Sequence, residues 1–286
     1  MRLILVLLIC ALFATPVRAG EGAQRILSIG GAITETVYAL GAQDRLVAVD
    51  TTSLYPPEAR GLPNVGYMRA LSAEPVLSLD PDLILLHADA GPVPVIEQIR
   101  QSGVRIVDLP KTTSIADTGE LIRRVGAALA RPEAGAALAE KVVGEATRIS
   151  ALARARDSKP RVLFMLSIGR GAPLASGHGT AADGLIAAAG GRNAIDGYEG
   201  YKPLSPEAAV EAAPDVVLVT HRTAKLLGGA PAILSRAEIQ PTPAGKQGRL
   251  LEIDGLMMLG FGPRLHEAIA VLARQLHPDL DLGAVQ

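Results

Sequence analysis

The sequence predicts an α/β protein whose two similar lobes carry mostly parallel sheets, are joined by one long spine helix and leave a ligand cleft between them. Hydrophobic residues make up 49% of the chain and aromatic residues only 3%, which is typical of a core built from Ala, Leu and Val. Short apolar runs alternate with helical segments, the pattern of βαβ units and parallel sheets. One helix–Pro-Asp–strand segment of the first half also returns in the second half, which indicates a duplicated lobe.

Residues 1–19 are predicted to be a cleaved signal peptide. A basic start is followed by an apolar run at residues 3–13, which is too short to span a bilayer. Small residues lead up to Ala19, so we expect cleavage before Gly20 and export to the periplasm. Cys10 would carry the lipid of a lipoprotein, but a bulky residue precedes it and the apolar run continues past it.

The first lobe is assigned to residues 20–130. Gly30 and Gly31 stand between its first strand and first helix, but neither G-x-G-x-x-G nor G-K-[ST] is present, so we interpret the pair as a tight turn rather than a phosphate loop. Apolar runs predict strands at 26–29, 46–50, 83–86 and 104–107, with helices that begin near Ala32 or Thr34, at Val93 and at Ile115.

The spine helix is predicted across residues 131–158, the linker between the lobes. Pro132 suits its first turn, where a missing N–H costs little. Its 1.5 Å rise per residue gives a length of about 35 Å. The apolar positions that repeat with helical spacing are Leu138, Val142, Ala146, Ile149 and Leu152.

The second lobe is assigned to residues 159–286. We expect strands at 161–166, 216–219 and 250–253, a helix that ends at Ala189, and a closing helix at 263–276. A loop is expected at 193–203 and contains Tyr198 and Tyr201.

The repeated segment is the strongest internal signal. A loop with Tyr67 and Arg69 leads to a short helix, for which Ser72 is the expected N-cap and Glu74 the first-turn acid, followed by Pro-Asp and a buried strand. The helix and strand recur 133 residues later, from Leu204 on, with six of 16 positions identical. The alternative is that helix–Pro-Asp–strand is common punctuation of α/β folds.

These residues carry a family resemblance that covers the whole chain after the signal peptide. The motif G-Y-M-R-A-L-S-A-E at residues 66–74, followed by L-S-L-x-P-D-L-I-L, resembles the periplasmic haem-binding proteins of ABC importers. More broadly, the sequence is similar to the helical-spine, class III substrate-binding proteins that also serve cobalamin and ferric siderophores. Pro75 departs from the family pattern, which more often has glycine there.

The resemblance implies that Tyr67 is the axial ligand of ferric haem, the transported ligand. A phenolate is a hard oxygen donor that suits Fe³⁺, but a free phenol titrates near pH 10, so a cation must favour its deprotonation. Arg69 would supply that charge or pair with a haem propionate. Without the resemblance, Tyr67 would be an ordinary half-buried loop tyrosine and Arg69 a solvated side chain.

The second lobe offers further candidates. His178, in a glycine-flanked loop, would bind iron on the other face or a second stacked haem, or it is a polar residue near a helix start. Arg222 is a candidate propionate partner and His221 a weaker candidate ligand. We interpret the remaining histidines as structural or solvated: His87, His266 and His277.

Glu74 and Glu207 occupy the same place in each repeat. As first-turn acids each would contribute roughly 0.3–1 kcal/mol to its helix and need no further role. The resemblance implies that the pair docks onto arginines of a permease dimer at the inner membrane, with an outer-membrane haem receptor upstream.

Other functions fit less well. A cobalamin or ferric-siderophore carrier of the same class would have no need of the Tyr67–Arg69 pairing. A zinc carrier would need three or four ligands, which five scattered histidines do not supply. An exported enzyme would need a motif such as G-x-S-x-G or H-E-x-x-H, and neither is present. The net charge of −1 without basic runs argues against nucleic acid.

Overall fold

The computed structural model describes residues 23–166 and 173–284. The predicted signal peptide and its cleavage site lie outside these ranges. Within them, the chain forms the two-lobed α/β fold with mostly parallel sheets that the sequence predicts. No helix among the described residues is long and apolar enough to cross a bilayer.

The first lobe is built on a four-stranded parallel sheet of order β2-β1-β3-β4. Helices pack on both faces of the sheet, so its central strands are mostly apolar and almost entirely buried. The strands are β1 (Ile26–Ile29), β2 (Leu46–Val49), β3 (Leu83–His87) and β4 (Arg105–Leu109). The helices are α1 (Gly31–Ala39), α2 (Ala73–Leu77), α3 (Val93–Gln101) and α4 (Ile115–Ala128), with 3-10 turns at Gln43–Arg45 and Pro57–Gly61.

The spine helix, α5, runs over Pro132–Arg154. Its buried stripe contains Val142, Ala146 and Ile149, as the spacing predicts. The prediction for Leu152 is wrong: it is 40% exposed, and the following residue, an alanine, takes the buried position. The helix packs closely against α4, because a Cβ placed on Gly126 would lie 2.7 Å from the Cα of Gly135.

The second lobe repeats the order of the first sheet. Strands β7, β5, β9 and β10 are parallel neighbours in the sequence β7-β5-β9-β10, which corresponds to β2-β1-β3-β4. Two short antiparallel strands extend it, β6 on β5 and β8 on β6, so the predicted loop at 193–203 ends in a strand. The strands are β5 (Arg161–Leu166), β6 (Leu174–Ser176), β7 (Arg192–Asn193), β8 (Tyr201–Pro203), β9 (Val216–Thr220) and β10 (Leu250–Ile253).

Seven helices complete this lobe among the described residues. The last, α12, packs on the spine helix. They are α6 (Ala181–Ala188), α7 (Pro206–Ala212), α8 (His221–Leu226), α9 (Gly229–Leu234), α10 (Pro243–Gln247), α11 (Gly255–Leu259) and α12 (Leu265–Leu276).

The repeated segment has the same local structure in both lobes. The carboxylate of Asp82 accepts the backbone N–H of Arg25 at 3.0 Å, and that of Asp215 accepts the N–H of Arg161 at 2.8 Å. Each acid thereby ties the start of the strand that follows it, β3 or β9, to the first strand of its lobe. The two residues that precede the Pro-Asp pairs both have positive φ, 46° at Asp80 and 42° at the matching alanine.

The two repeats differ at the helix cap. Ser205 caps α7, since its hydroxyl accepts the N–H of Ala208 at 3.2 Å. Ser72 stands at the N-cap of α2 but makes no side-chain cap hydrogen bond, so the predicted cap is wrong in this detail. The reason is local: the third helical position, whose N–H an N-cap serine would bind, is Pro75, which has no N–H.

The lobes are also held together away from the spine helix. Glu35 of α1 is buried. It accepts three hydrogen bonds, at 3.0–3.2 Å, from Arg264, the residue just before α12. The guanidinium of Arg264 also lies over the ring of Tyr55, with its Cζ 3.5 Å from the ring centroid. A further hydrogen bond joins Thr118 of α4 to the carbonyl of Phe261 at 3.1 Å.

Candidate functional site

The loop that carries Tyr67 is fixed by backbone hydrogen bonds on both sides. Its first residues bond to the chain at the end of β2, and its later residues bond to Gly91, in the turn after β3. The four bonds run from Val65 N to Val49 O, from Thr51 N to Gly66 O, from Gly91 N to Met68 O and from Leu71 N to Gly91 O, all at 2.9–3.0 Å. The loop therefore lies at the carboxyl ends of β2 and β3, which is where ligands bind in open parallel sheets.

The side chains of this loop divide between the core and solvent. Val65, Met68 and Leu71 are buried and belong to the hydrophobic cluster on one face of the first sheet. Tyr67 is 44% exposed, and Arg69 next to it is exposed as well. Burial of the neighbours thus holds the tyrosine and the arginine outward, and the loop is part of the core although its functional side chains are not.

Tyr67 and Arg69 are brought together by the structure. Nη1 of Arg69 donates a hydrogen bond to the phenol oxygen of Tyr67 at 2.8 Å, and Nη2 donates to Oδ2 of Asp89 at 2.6 Å. Partial burial opposes the charge of Arg69, but its bonds to Tyr67 and Asp89 outweigh this and raise its pKa. The arginine is therefore a cation held beside the phenol oxygen by two side-chain hydrogen bonds.

Asp89 is a residue of this site that the sequence analysis missed. It stands in the turn after β3, at the carboxyl edge of the sheet, and that position is the signal that could have identified it. Its backbone N–H donates to Nδ1 of His87 at 3.0 Å. Burial lowers the pKa of His87, so the ring is neutral near pH 7 and can accept this bond, in keeping with its interpretation as a structural histidine.

The second lobe presents Tyr201 and His178. Burial raises the pKa of Tyr201, although a hydrogen bond with Thr180 and the charge of Arg69 oppose this rise. His178 is exposed, and its Nε2 lies 2.5 Å from the carbonyl oxygen of Asp196. Among the described contacts, none joins His178 to Tyr67.

Arg222 is exposed in the first turn of α8, directly after β9. Within residues 23–166 and 173–284 it has no ion-pair partner, so its guanidinium is available to an anion. His221 beside it is exposed too. The other predicted structural histidines are both buried: His266 and His277.

Glu74 and Glu207 are exposed in the first turns of α2 and α7. Neither carboxylate forms an ion pair in the part of the chain that the structure describes. Among those residues there is also no group of three His, Cys, Asp or Glu side chains that could hold a metal ion.

A two-lobed α/β fold with a long helix between parallel sheets, and a polar site at the carboxyl ends of the strands, defines a class III substrate-binding protein. The family described as periplasmic binding protein matches residues 26–255 of the chain. This protein therefore belongs to the periplasmic binding protein family.

Solved structures of haem-binding proteins resemble it closely. The periplasmic haem-binding protein RhuT from Roseiflexus sp. RS-1, in apo form, matches with a TM-score of 0.86 and 40% identity, over 91% of this chain and 100% of that one. BhuT, a periplasmic haem-binding protein in complex with two haems, matches with a TM-score of 0.83 and 42% identity, over 90% of this chain and 99% of that one.

Matches by sequence include a substrate-binding lipoprotein and a vitamin B12-binding protein. The uncharacterised ABC transporter substrate-binding lipoprotein YvrC of Bacillus subtilis is 26% identical over 260 residues, which are 90% of this chain and 81% of YvrC. The vitamin B12-binding protein of Vibrio cholerae is 35% identical over 136 residues, 46% of this chain and 49% of that protein. Both relatives are described as binding proteins.

Proposed function

We propose that this protein captures ferric haem in the periplasm through Tyr67 and delivers it to an ABC transporter permease for haem and iron uptake. One observation carries the proposal: an exposed phenol, on a loop fixed to the core, accepts a 2.8 Å hydrogen bond from a fixed arginine. Its similarity to haem-binding proteins over nine-tenths of the chain supports the same ligand.

The chemistry of the site suits Fe³⁺ in haem. Tyr67 supplies the phenolate, which matches a hard ferric centre, and the charged hydrogen bond from Arg69 stabilises the deprotonated oxygen. The porphyrin would lie against the apolar rim of the cleft. The exposed apolar side chains that follow β2 and β3 include Leu54, on a loop, and Val93, at the start of α3.

The second lobe would complete the ligand sphere. His178 would bind iron on the other face or hold a second haem, for which its ring must leave the carbonyl of Asp196 or use Nδ1. Arg222 would pair with a haem propionate, because it is exposed and has no ion-pair partner among the residues described.

Delivery would use the two lobes symmetrically. Glu74 and Glu207 would dock onto arginines of a permease dimer, since they are exposed at equivalent places in the two repeats. Export would follow cleavage before Gly20, with an outer-membrane haem receptor upstream. No catalytic step is assigned to the protein.

The test is a titration of the purified mature protein with hemin, followed by absorption spectroscopy. We expect saturable binding and a ferric high-spin spectrum of the tyrosinate type, which is lost in Tyr67→Ala. Cyanocobalamin and a ferric siderophore are the matched competitors, because the B12-binding relative supports the alternative of a cobalamin or siderophore carrier. Binding of either competitor with no binding of hemin would refute the proposal.

A further inference from the structure

Asp89 is the one acidic side chain that contacts Arg69 among the described residues. The Asp89–Arg69 distance is 2.6 Å, although the two side chains are 30% and 52% exposed. The sequence leaves two roles open for Arg69, as a partner of the phenol or of a haem propionate. Asp89 influences which of these two partners Arg69 can reach, because it holds one end of the guanidinium.

The guanidinium of Arg69 has several N–H donors in one plane, and both of its terminal nitrogens form a hydrogen bond. Nη1 faces the phenol oxygen of Tyr67 and Nη2 faces Asp89. A long, half-exposed arginine with one anchor would rotate among rotamers, whereas a second anchor on the far nitrogen fixes the plane of the guanidinium. Asp89 therefore determines which edge of Arg69 meets Tyr67.

Asp89 is itself held in place. Its backbone N–H binds the ring of His87 at 3.0 Å. Gly91, two residues further on, forms backbone bonds to Met68 and Leu71 on either side of Arg69, each at 2.9 Å. The turn after β3 and the Tyr67 loop thus form one unit, and the carboxylate is preorganised relative to the phenol.

We infer that Asp89 is a positioning residue that commits Arg69 to the phenol oxygen of Tyr67 and withdraws it from the haem propionates. The inference rests on the proposed function for its ligand. The direction of the change in haem ligation on removal of Asp89 distinguishes this role from a simple charge effect, because the negative charge of Asp89 by itself disfavours a nearby phenolate. If Asp89 acted by charge alone, its removal would strengthen ligation; as a positioning residue, its removal weakens ligation.

The first test is a double-mutant cycle on hemin affinity with Asp89→Ala, Arg69→Met and the double variant. We expect Asp89→Ala to weaken hemin binding roughly tenfold, the scale of one charge-assisted hydrogen bond. In the Arg69→Met background the same change should have less than a twofold effect. Tighter or unchanged binding by Asp89→Ala, or an equal loss in both backgrounds, would overturn the inference.

The second test is the direction in which the charge-transfer band of the haem complex shifts, and it is independent of affinity. A hydrogen bond to the phenolate lowers the energy of its donor orbitals, so loss of the Arg69 contact should move the tyrosinate-to-iron charge-transfer band of Asp89→Ala to lower energy. Removal of a nearby negative charge alone would move it to higher energy, which would contradict the inference. Asp89→Asn, which keeps an acceptor oxygen, should shift the band in the same direction by less.

The last test needs no haem. In the apoprotein, ¹⁵N NMR should show restricted rotation of the Arg69 guanidinium in the wild type and averaged signals in Asp89→Ala. The matched control is Asp108→Ala, which removes the exposed carboxylate that lies 2.5 Å from Arg100 outside the site, and which should leave Arg69 and hemin binding unchanged. If the wild type fails to bind hemin, the proposed function fails, and this measurement still decides whether Asp89 fixes Arg69.

Discussion

Replacement of Arg264 by methionine should destabilise the protein strongly, because it removes the cation from a buried pair that joins the lobes. Glu35 is 5% exposed, and its two oxygens accept three hydrogen bonds, all from Arg264. Methionine has a similar length and leaves the carboxylate with only the backbone N–H. Breaking a buried pair from one side costs about 3–5 kcal/mol, which corresponds to a fall in Tm of at least roughly 6 °C.

The assay is urea unfolding with calorimetry as a check, and the double variant Glu35→Gln/Arg264→Met is the matched control. Because the double variant leaves no uncompensated charge, we expect it to regain most of the lost stability. A loss below about 1 kcal/mol in Arg264→Met would refute the view that this pair stabilises the lobe contact.

The same pair gives a pH dependence with a defined sign. Burial raises the pKa of Glu35 above its ordinary value, although Arg264 partly lowers it. The folded state then keeps this proton at pH values where the unfolded state has lost it, so the associated stability is present at low pH and is lost as the pH rises through the raised pKa. Without Arg264 the pKa rises further, and the deficit of Arg264→Met should be larger at pH 8 than at pH 5.

The remaining predictions concern the ligand, the spine helix and delivery. Tyr67→Phe should lose most hemin affinity with little change in urea unfolding, since only an exposed hydroxyl is removed, and Arg69→Ala should weaken hemin binding less; an equal loss would make the charge the main anchor. Gly126→Ala should cost about 1–3 kcal/mol in urea unfolding, because the added methyl meets the backbone of α5; an unchanged midpoint would contradict this packing. Glu74→Ala/Glu207→Ala should bind hemin normally but fail to stimulate transporter ATPase in reconstituted vesicles, and full stimulation would leave these acids as helix caps only.

Where local chemistry suffices, the sequence predicts this fold well. The strands Ile26–Ile29, Arg161–Leu166 and Leu250–Ile253 match their predicted bounds, because short, mostly apolar runs between turn signals have few alternatives. The repeat is also visible in the sequence, since Asp82 and Asp215 perform the same local task in each lobe. The uncapped Ser72 is a local feature too: the proline three residues later shows that the donor is missing.

The short antiparallel strands were not predictable in the same way. Leu174–Ser176 and Tyr201–Pro203 have three residues each, and their pairing partner lies outside the local sequence. A strand this short carries no periodicity of its own, so the neighbouring strand decides its conformation.

The sequence by itself determined the class of fold, the spine helix and the Tyr67–Arg69 motif, because each depends on patterns of residues that are close together in the chain. It also showed the repeated lobe, because one such local pattern recurs 133 residues later. Tertiary structure alone decided that Asp89 fixes Arg69 and that Arg264 meets Glu35 across 229 residues. It also placed the ring of His178 against a backbone carbonyl. Such contacts depend on where the chain turns after each strand and how the lobes pack, and no local pattern of residues encodes the partner of a side chain that is reached only through folding.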